Sequence, residues 1–211
     1  MIRKEFQTEE RLFPFVAYFP KKIDGLLPLV VQLHGAGERG NGENDLEKVD
    51  IHGFSNMLQG NKEYSCVFVM PQCRKESFWA AEVPNIYKFI LNIIDEFAID
   101  TKRIYLTGLS MGGYGTWYTA MRYPEMFAAI APVCGGGMVW NAAVLDMPIW
   151  AFHGTEDELV YPTETLNMIQ KIRRNSPTNE VALSMLDNVG HNAWDYAYNE
   201  ELLKWLLSKS R

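Results

Sequence analysis

The chain of 211 residues has no long apolar run. No stretch approaches the roughly 18 consecutive apolar residues that a membrane-spanning helix requires. Its first residues are charged and lack the apolar segment of about 7 to 15 residues that a secretory signal contains. We therefore expect a cytoplasmic protein without a membrane span.

Cysteine is scarce, and the basic residues form no stripe along the chain. Cys66, Cys73 and Cys134 show neither a CxxC motif nor the spacing of metal ligands, and an odd number leaves at least one thiol free. Free thiols fit a reducing compartment. The net charge of −6 argues against nucleic acid or an anionic membrane as partner. A small-molecule substrate fits this composition better.

Strands and helices alternate along the sequence. With 47% hydrophobic residues the chain can bury a substantial core, which favours a single domain over residues 1–211. Helical spacing is clearest at residues 84–97, and continuous apolar runs predict strands that are buried on both faces. The predicted strands cover residues 29–33, 66–70, 104–106, 128–133 and 149–152, with a last strand at 181–186. This alternation predicts a doubly wound, mostly parallel α/β sheet flanked by helices.

The first part of the chain allows three further predictions. Residues 13–19 alternate enough to form an early strand at the sheet edge, and turn-forming residues after them predict a hairpin into the strand at 29–33. Residues 45–58 are expected to form one or two short helices interrupted at Gly53.

Unusual motifs follow the predicted strands. Ligands of such sheets bind outside the carboxyl ends of the strands. We therefore expect six loops to converge at one edge: HGAG at 34–37, PQC at 71–73, GLSMG at 108–112, CGGG at 134–137, HGTED at 153–157 and VGH at 189–191.

The most specific of these motifs is G-x-S-x-G, with Ser110 between a strand and a helix. On so sharp a turn the serine sits in strained backbone, and the two glycines let neighbouring segments pass close by. The helix that follows directs its free N–H groups and its positive dipole end toward the serine. Ser110 is therefore predicted to be a nucleophile, with a glycine-rich structural turn as the alternative.

A serine nucleophile needs a histidine base, and that base needs a carboxylate partner. His191 follows the last strand and every acidic candidate, which is the Ser, Asp, His order of hydrolases with this turn. Structural roles are expected for His34 and His153, and a packed or exposed position for His52. Asp157 is favoured over its neighbours as the acid, with Asp187 and Asp195 in reserve.

Acyl transfer also requires N–H donors that face the developing oxyanion. One donor is predicted at Met111, the residue after the nucleophile. The second is expected in the HGAG loop, at Ala36 or Gly35. Losing one such donor typically costs about 3 kcal/mol of transition-state stabilisation.

These motifs together resemble those of the α/β-hydrolases. LHGAGERG, MPQC, GLSMGGYGTW, HGTEDELV and GHNAWD are similar to segments of compact esterases and predicted peptidases grouped with dienelactone hydrolase, phospholipase/carboxylesterase and feruloyl or polyhydroxybutyrate-depolymerase-like enzymes. The resemblance implies a minimal α/β-hydrolase fold without a large cap domain. It also implies a Ser110, His191 and Asp157 hydrolase that needs no metal and no organic cofactor.

The expected activity is hydrolysis of carboxylic esters with small or medium acyl groups, acylated sugars among them. Residues that could form a substrate platform, or simply pack the loops, are Trp79, Met138, Trp140, Asn192 and Trp194. The same groups could cleave amides or thioesters, because fold and triad do not decide the leaving group. A non-catalytic binding protein on a hydrolase fold is the alternative from another class.

Overall fold

A computed structural model describes residues 1–7, 12–60 and 62–211. Within these residues the chain forms one eight-stranded sheet. Its strands are β1 (Ile2–Phe6), β2 (Phe15–Phe19), β3 (Leu27–Leu33), β4 (Val67–Pro71), β5 (Ile99–Leu109), β6 (Ala129–Val133), β7 (Ile149–Gly154) and β8 (Val181–Leu186).

The sheet is mostly parallel. The strand order is β1-β2-β4-β3-β5-β6-β7-β8, and β3 through β8 pair in parallel. Only β1 and β2 run antiparallel to their neighbours. The predicted doubly wound, mostly parallel α/β fold is confirmed.

Helices cover both faces of the sheet. They are α1 (Ser55–Leu58), α2 (Val83–Glu96), α3 (Met111–Arg122), α4 (Thr163–Asn175), α5 (Trp194–Ala197) and α6 (Glu200–Leu207), with short 3-10 helices at Ala36–Glu38, Leu46–Asp50, Pro124–Met126 and Val139–Val144. None of the helices in the described part of the chain is long and apolar enough to cross a membrane.

Burial on both faces explains the continuous apolar runs. In β3, Leu29, Val31 and Leu33 pack into the core on one side of the sheet, while Val30 packs into the core on the other. Successive side chains of a strand point to opposite faces of the sheet. A strand that is covered by helices on both faces therefore has no solvent-exposed position.

Helix α2 forms where its spacing predicts it. Pro84 lies in the first turn, where a missing N–H costs nothing, and Ile86, Phe89, Ile90 and Ile93 are buried against the sheet. The short helices expected within residues 45–58 are also present, a 3-10 helix and then α1.

The predicted hairpin between residues 13–19 and 29–33 is wrong. β2 pairs with β4 and β1, and β4 lies between β2 and β3 in the sheet. β2 is also not the edge strand, because β1 covers it. β1 has an exposed and largely charged sequence, so its pairing with β2 leaves no hydrophobic pattern in the sequence.

Two glycines set the distance between β3, β5 and α3. A Cβ atom on Gly108 would lie 2.3 Å from the carbonyl oxygen of Gly112, and one on Gly112 would lie 2.0 Å from that of Leu33. No real Cβ atom tolerates such contacts. The glycines of the G-x-S-x-G motif therefore allow the helix to begin directly against the sheet, as predicted.

Candidate active site

Strand β5 and helix α3 meet at Ser110. This residue has φ 54° and ψ −115°, a left-handed backbone conformation that is strained for a residue with a side chain. Its N–H donates to the carbonyl of Val133 on β6 at 2.9 Å. The parallel pairing brings the loops after β3 to β8 to the same edge of the sheet as Ser110.

Three side chains from three of these loops form a hydrogen-bonded chain. Ser110 Oγ lies 2.7 Å from His191 Nε2, and His191 Nδ1 lies 2.7 Å from Asp157 Oδ2. These are distances of strong hydrogen bonds. The imidazole can therefore accept the serine proton while the carboxylate holds its other nitrogen.

Asp157 differs from its acidic neighbours in burial. Its carboxylate is buried, whereas Glu156 and Glu158 are exposed. Asp157 Oδ1 accepts backbone N–H groups from Leu159 and Val160 at 3.0 and 2.9 Å.

The pKa of Asp157 reflects these contacts. Burial alone raises the pKa of this carboxyl, but the hydrogen bond from His191 and the backbone N–H donors outweigh burial. The pKa of Asp157 therefore lies below its ordinary value, and the carboxylate is charged at neutral pH. The reserve candidates Asp187 and Asp195 are both exposed.

Structural roles were expected for His34 and His153, and a packed or exposed position for His52. His34 Nε2 accepts the N–H of Cys73 at 2.9 Å, and burial lowers the pKa of His34 to about 4. His153 is fully buried at the end of β7. His52 is partly exposed, with its ring 5.6 Å from that of Trp194.

The HGAG loop lies against the serine. A Cβ atom on Gly35 would lie 3.8 Å from the Cβ of Ser110 and 2.9 Å from Leu109 Cδ1. Ala36 begins a 3-10 helix and Met111 begins α3, and the first N–H groups of a helix have no acceptor within it. The N–H groups at the start of these two helices are the candidate oxyanion donors.

Trp79 does not belong to a substrate platform, and the packing alternative holds for this residue. Its side chain is fully buried, and its indole N–H donates to the carbonyl of His34 at 3.0 Å. The ring packs on Phe13 and beside Gly115 of α3. The sequence places Trp79 in a loop, but it does not show that the ring fills the core beneath that loop.

The other candidate platform residues lie in the segments that follow β6 and β8. Trp194 packs edge-on against the His191 ring at 5.2 Å. Trp140 and Met138 are exposed, at 75% and 38%, on the connection between β6 and β7. Asn192 is exposed and donates to Asp195 at 3.2 Å. The connection that carries Met138 and Trp140 is short and holds one 3-10 helix, so it forms no cap domain.

Sequence reasoning did not assign a role to Cys134. This buried residue has φ 47°, and its sulfur lies within 4.8 Å of the ligand atoms of Asp157 and His191. The only sequence signal is the glycine run after it at the end of β6. A metal ion could use these three atoms only by replacing the hydrogen bond between His191 and Asp157, so the geometry favours the hydrogen-bonded chain.

Comparison with known proteins gives a family match. The model of the "Dienelactone hydrolase family" matches residues 57–194. The bifunctional acetylxylan esterase/xylanase XynS20E of Neocallimastix patriciarum is 31% identical over 150 residues, which cover 68% of this chain. Poly(3-hydroxyalkanoate) depolymerase C of Paucimonas lemoignei is 30% identical over 140 residues, or 62% of this chain. The chain spans 21% and 33% of the lengths of these two relatives.

Solved structures agree with this match. A thermostable esterase superposes with a TM-score of 0.82 at 32% identity, covering 100% of this chain and 63% of that one. Esterase PE8 gives a TM-score of 0.69 at 20% identity, covering 92% of this chain and 98% of the other. At that identity only the shared fold is shown. The three relatives named here with at least 30% identity are two esterases and a depolymerase.

Proposed function

This chain belongs to the dienelactone hydrolase family, and on that premise we propose that it hydrolyses carboxylic esters through an acyl-enzyme intermediate on Ser110. One observation carries the proposal: Ser110 Oγ, His191 and Asp157 are joined by two hydrogen bonds of 2.7 Å. A hydroxyl becomes a competent nucleophile when a neighbouring imidazole can take its proton.

In the first half of the reaction Ser110 Oγ attacks the ester carbonyl, and its proton passes to His191 Nε2. Asp157 stabilises the imidazolium that forms and fixes which ring nitrogen faces the serine. The carbonyl oxygen becomes an anion, which the N–H groups of Met111 and of Ala36 or Gly35 would stabilise. His191 then returns the proton to the leaving alcohol.

In the second half a water molecule attacks the acyl group on Ser110. His191 takes a proton from this water and returns it to Ser110 Oγ as the bond between Oγ and the acyl carbon breaks, and the acid product is released. The same residues therefore serve both halves of the reaction. No step requires a metal or an organic cofactor.

Esters of small or medium acyl groups, acylated sugars among them, are the proposed substrates. The observation that favours this class is the ring of Trp194, which packs edge-on against His191 at 5.2 Å. Met138, Trp140, Asn192 and Trp194 are the residues proposed to contact the substrate. One relative is an acetylxylan esterase, which supports an acyl group carried on a sugar.

The test is hydrolysis of short-chain p-nitrophenyl esters and of acetylated sugars by the purified protein. Activity is expected in the wild type and a loss of at least about 10³-fold in Ser110→Ala. A fluorophosphonate probe should label the wild type at Ser110. Full activity in Ser110→Ala would remove Ser110 from the mechanism.

A panel of matched ester, amide and thioester substrates decides the leaving group, and the ester is expected to give the highest kcat/KM. A wild type that is neither labelled nor active, but is thermally stabilised by an ester, would instead be a binding protein. That result would refute the proposed function.

A further inference from the structure

Asp157 has a second histidine beside it. His153 Nε2 lies 3.3 Å from Asp157 Oδ2, the same oxygen that accepts from His191. Both His153 and Asp157 are fully buried side chains. The other oxygen, Oδ1, is occupied by the backbone N–H groups of Leu159 and Val160. The carboxylate is therefore held from three directions, and the mechanism above uses only one of them.

The His153 ring is fixed at both nitrogens. Nδ1 lies 2.8 Å from Thr165 Oγ1 on α4, and Nε2 lies 2.8 Å from the carbonyl oxygen of Val160. Thr165 Oγ1 is also 2.6 Å from the carbonyl oxygen of Gly135. The ring thus connects the end of β7 with α4 and with the loop that contains Asp157.

Counting hydrogens shows which nitrogen donates. Val160 O and the Asp157 carboxylate can only accept, so Nε2 must carry a hydrogen. If the Thr165 hydroxyl donates to Nδ1, His153 is neutral. If that hydroxyl donates to Gly135 O, Nδ1 carries a hydrogen as well and His153 is a cation. In both arrangements Nε2–H donates to Val160 O at 2.8 Å, and Nε2 lies 3.3 Å from Asp157 Oδ2.

Burial and charge act in opposite directions on this ring. Burial lowers the pKa of His153 below its ordinary value, although the Val160 carbonyl and the charge of Asp157 act to raise it. The other titratable groups near the carboxylate are His191, Cys134 and Tyr114. Burial raises the pKa of both Cys134 and Tyr114 to about 12, so neither changes charge between pH 5 and 8.

We propose that His153 is a positioning residue for Asp157: its Nε2–H holds Oδ2 toward His191 and stabilises the buried negative charge. This inference rests on the proposed function, in which Asp157 orients the base. Without His153, the carboxylate would be held only by the backbone N–H groups of Leu159 and Val160 and by His191 itself. The negative charge of Asp157 would also be less compensated by a neighbouring N–H. His191 would then hold a proton more strongly and could not accept one from Ser110.

The experiment compares His153→Gln with His153→Met. The glutamine amide can place a donor near the position of Nε2, whereas methionine has similar bulk and no donor. We expect kcat to fall about tenfold or more in His153→Met, with KM little changed and the acid limb of the kcat/KM profile moved to higher pH. His153→Gln should retain most of kcat and the wild-type acid limb.

Rates are expressed per active site titrated with fluorophosphonate, so that misfolded protein does not count. Tyr18→Phe is the matched control, because it removes a buried hydrogen bond from Tyr18 on β2 to Asp50. In the sheet, β4 and β3 lie between β2 and the strand that leads to Ser110. This control should lower stability without moving the acid limb. Should His153→Met not fold, Thr165→Val takes its place, and a fall in kcat of about threefold with the same shift is expected.

Wild-type kcat and an unmoved acid limb in His153→Met, or in Thr165→Val where that variant replaces it, would overturn the inference. Equal losses in the glutamine and methionine variants would overturn it too. These results differ from failure of the proposed function, in which the wild type itself is inactive and Ser110 is not labelled.

Discussion

At the scale of single residues, burial distinguishes Asp157 from its acidic neighbours. The HGTEDELV segment offers Glu156, Asp157 and Glu158 within three positions, and local sequence gives each of them the same charge. Only Asp157 is buried, and only its carboxylate reaches His191. Two backbone N–H groups hold it in that orientation.

Asp157→Asn should therefore separate geometry from charge. The amide oxygen can keep the backbone donors of Leu159 and Val160, which directs the NH₂ group at His191 Nδ1. That ring nitrogen must then accept, which places the ring proton on Nε2 facing Ser110. We expect kcat to fall by about 10⁴-fold, measured on a p-nitrophenyl ester.

The exposed neighbour provides the control, since Glu156→Gln should leave kcat within about twofold of the wild type. A large loss of activity in Glu156→Gln together with an active Asp157→Asn would show that Asp157 is not the acid.

At the scale of secondary-structure elements, the position of α3 depends on the absence of a side chain at Gly112. The N-terminus of this helix packs on the end of β3, and a Cβ on Gly112 would lie 2.0 Å from the carbonyl oxygen of Leu33 and 2.8 Å from that of His34. Backbone atoms cannot yield as a flexible side chain can. The helix would have to move, and Met111 and Ser110 with it.

Gly112→Ala is accordingly expected to lower the free energy of unfolding by about 3 kcal/mol and to reduce activity per folded molecule. Gly37→Ala is the matched control, because a Cβ at Gly37 meets nothing within 4 Å. Its stability should stay within about 0.5 kcal/mol of the wild type. Urea denaturation followed by tryptophan fluorescence measures both, and equal stabilities would contradict the role of the close contact.

At the scale of the whole molecule, a buried neutral histidine makes stability depend on pH. The pKa of His34 is lowered by burial to about 4, from an ordinary value of 6.5. Between these values the unfolded chain binds a proton at His34 that the folded chain does not bind. The stability that the neutral His34 contributes is therefore fully present above about pH 6.5 and is lost as the pH drops toward 4.

The free energy of unfolding should consequently decrease by up to about 3 kcal/mol between pH 6.5 and 4 through His34. In His34→Gln, whose amide oxygen can still accept the N–H of Cys73, this slope should shrink. Urea titrations at several pH values measure it. Parallel curves for variant and wild type would show that another group causes the loss.

Much of this protein follows from the sequence alone. The strand and helix pattern, the turn at Ser110 and the loops at one edge of a parallel sheet depend on local periodicity and on glycine, which neighbouring residues determine. The position of His191 after the last strand follows from the same order of elements. These features confirm the α/β fold class, while the role of each residue stays a prediction.

The tertiary structure decided the rest. Pairing of β2 with β4, burial of Trp79 and Asp157, and the contact of His153 with the Asp157 carboxylate all depend on residues that come together only when the sheet forms. Burial is a property of everything that packs around a side chain, and a single sequence gives no direct account of it. For this reason the sequence predicted the reaction more readily than the environment of the groups proposed to perform it.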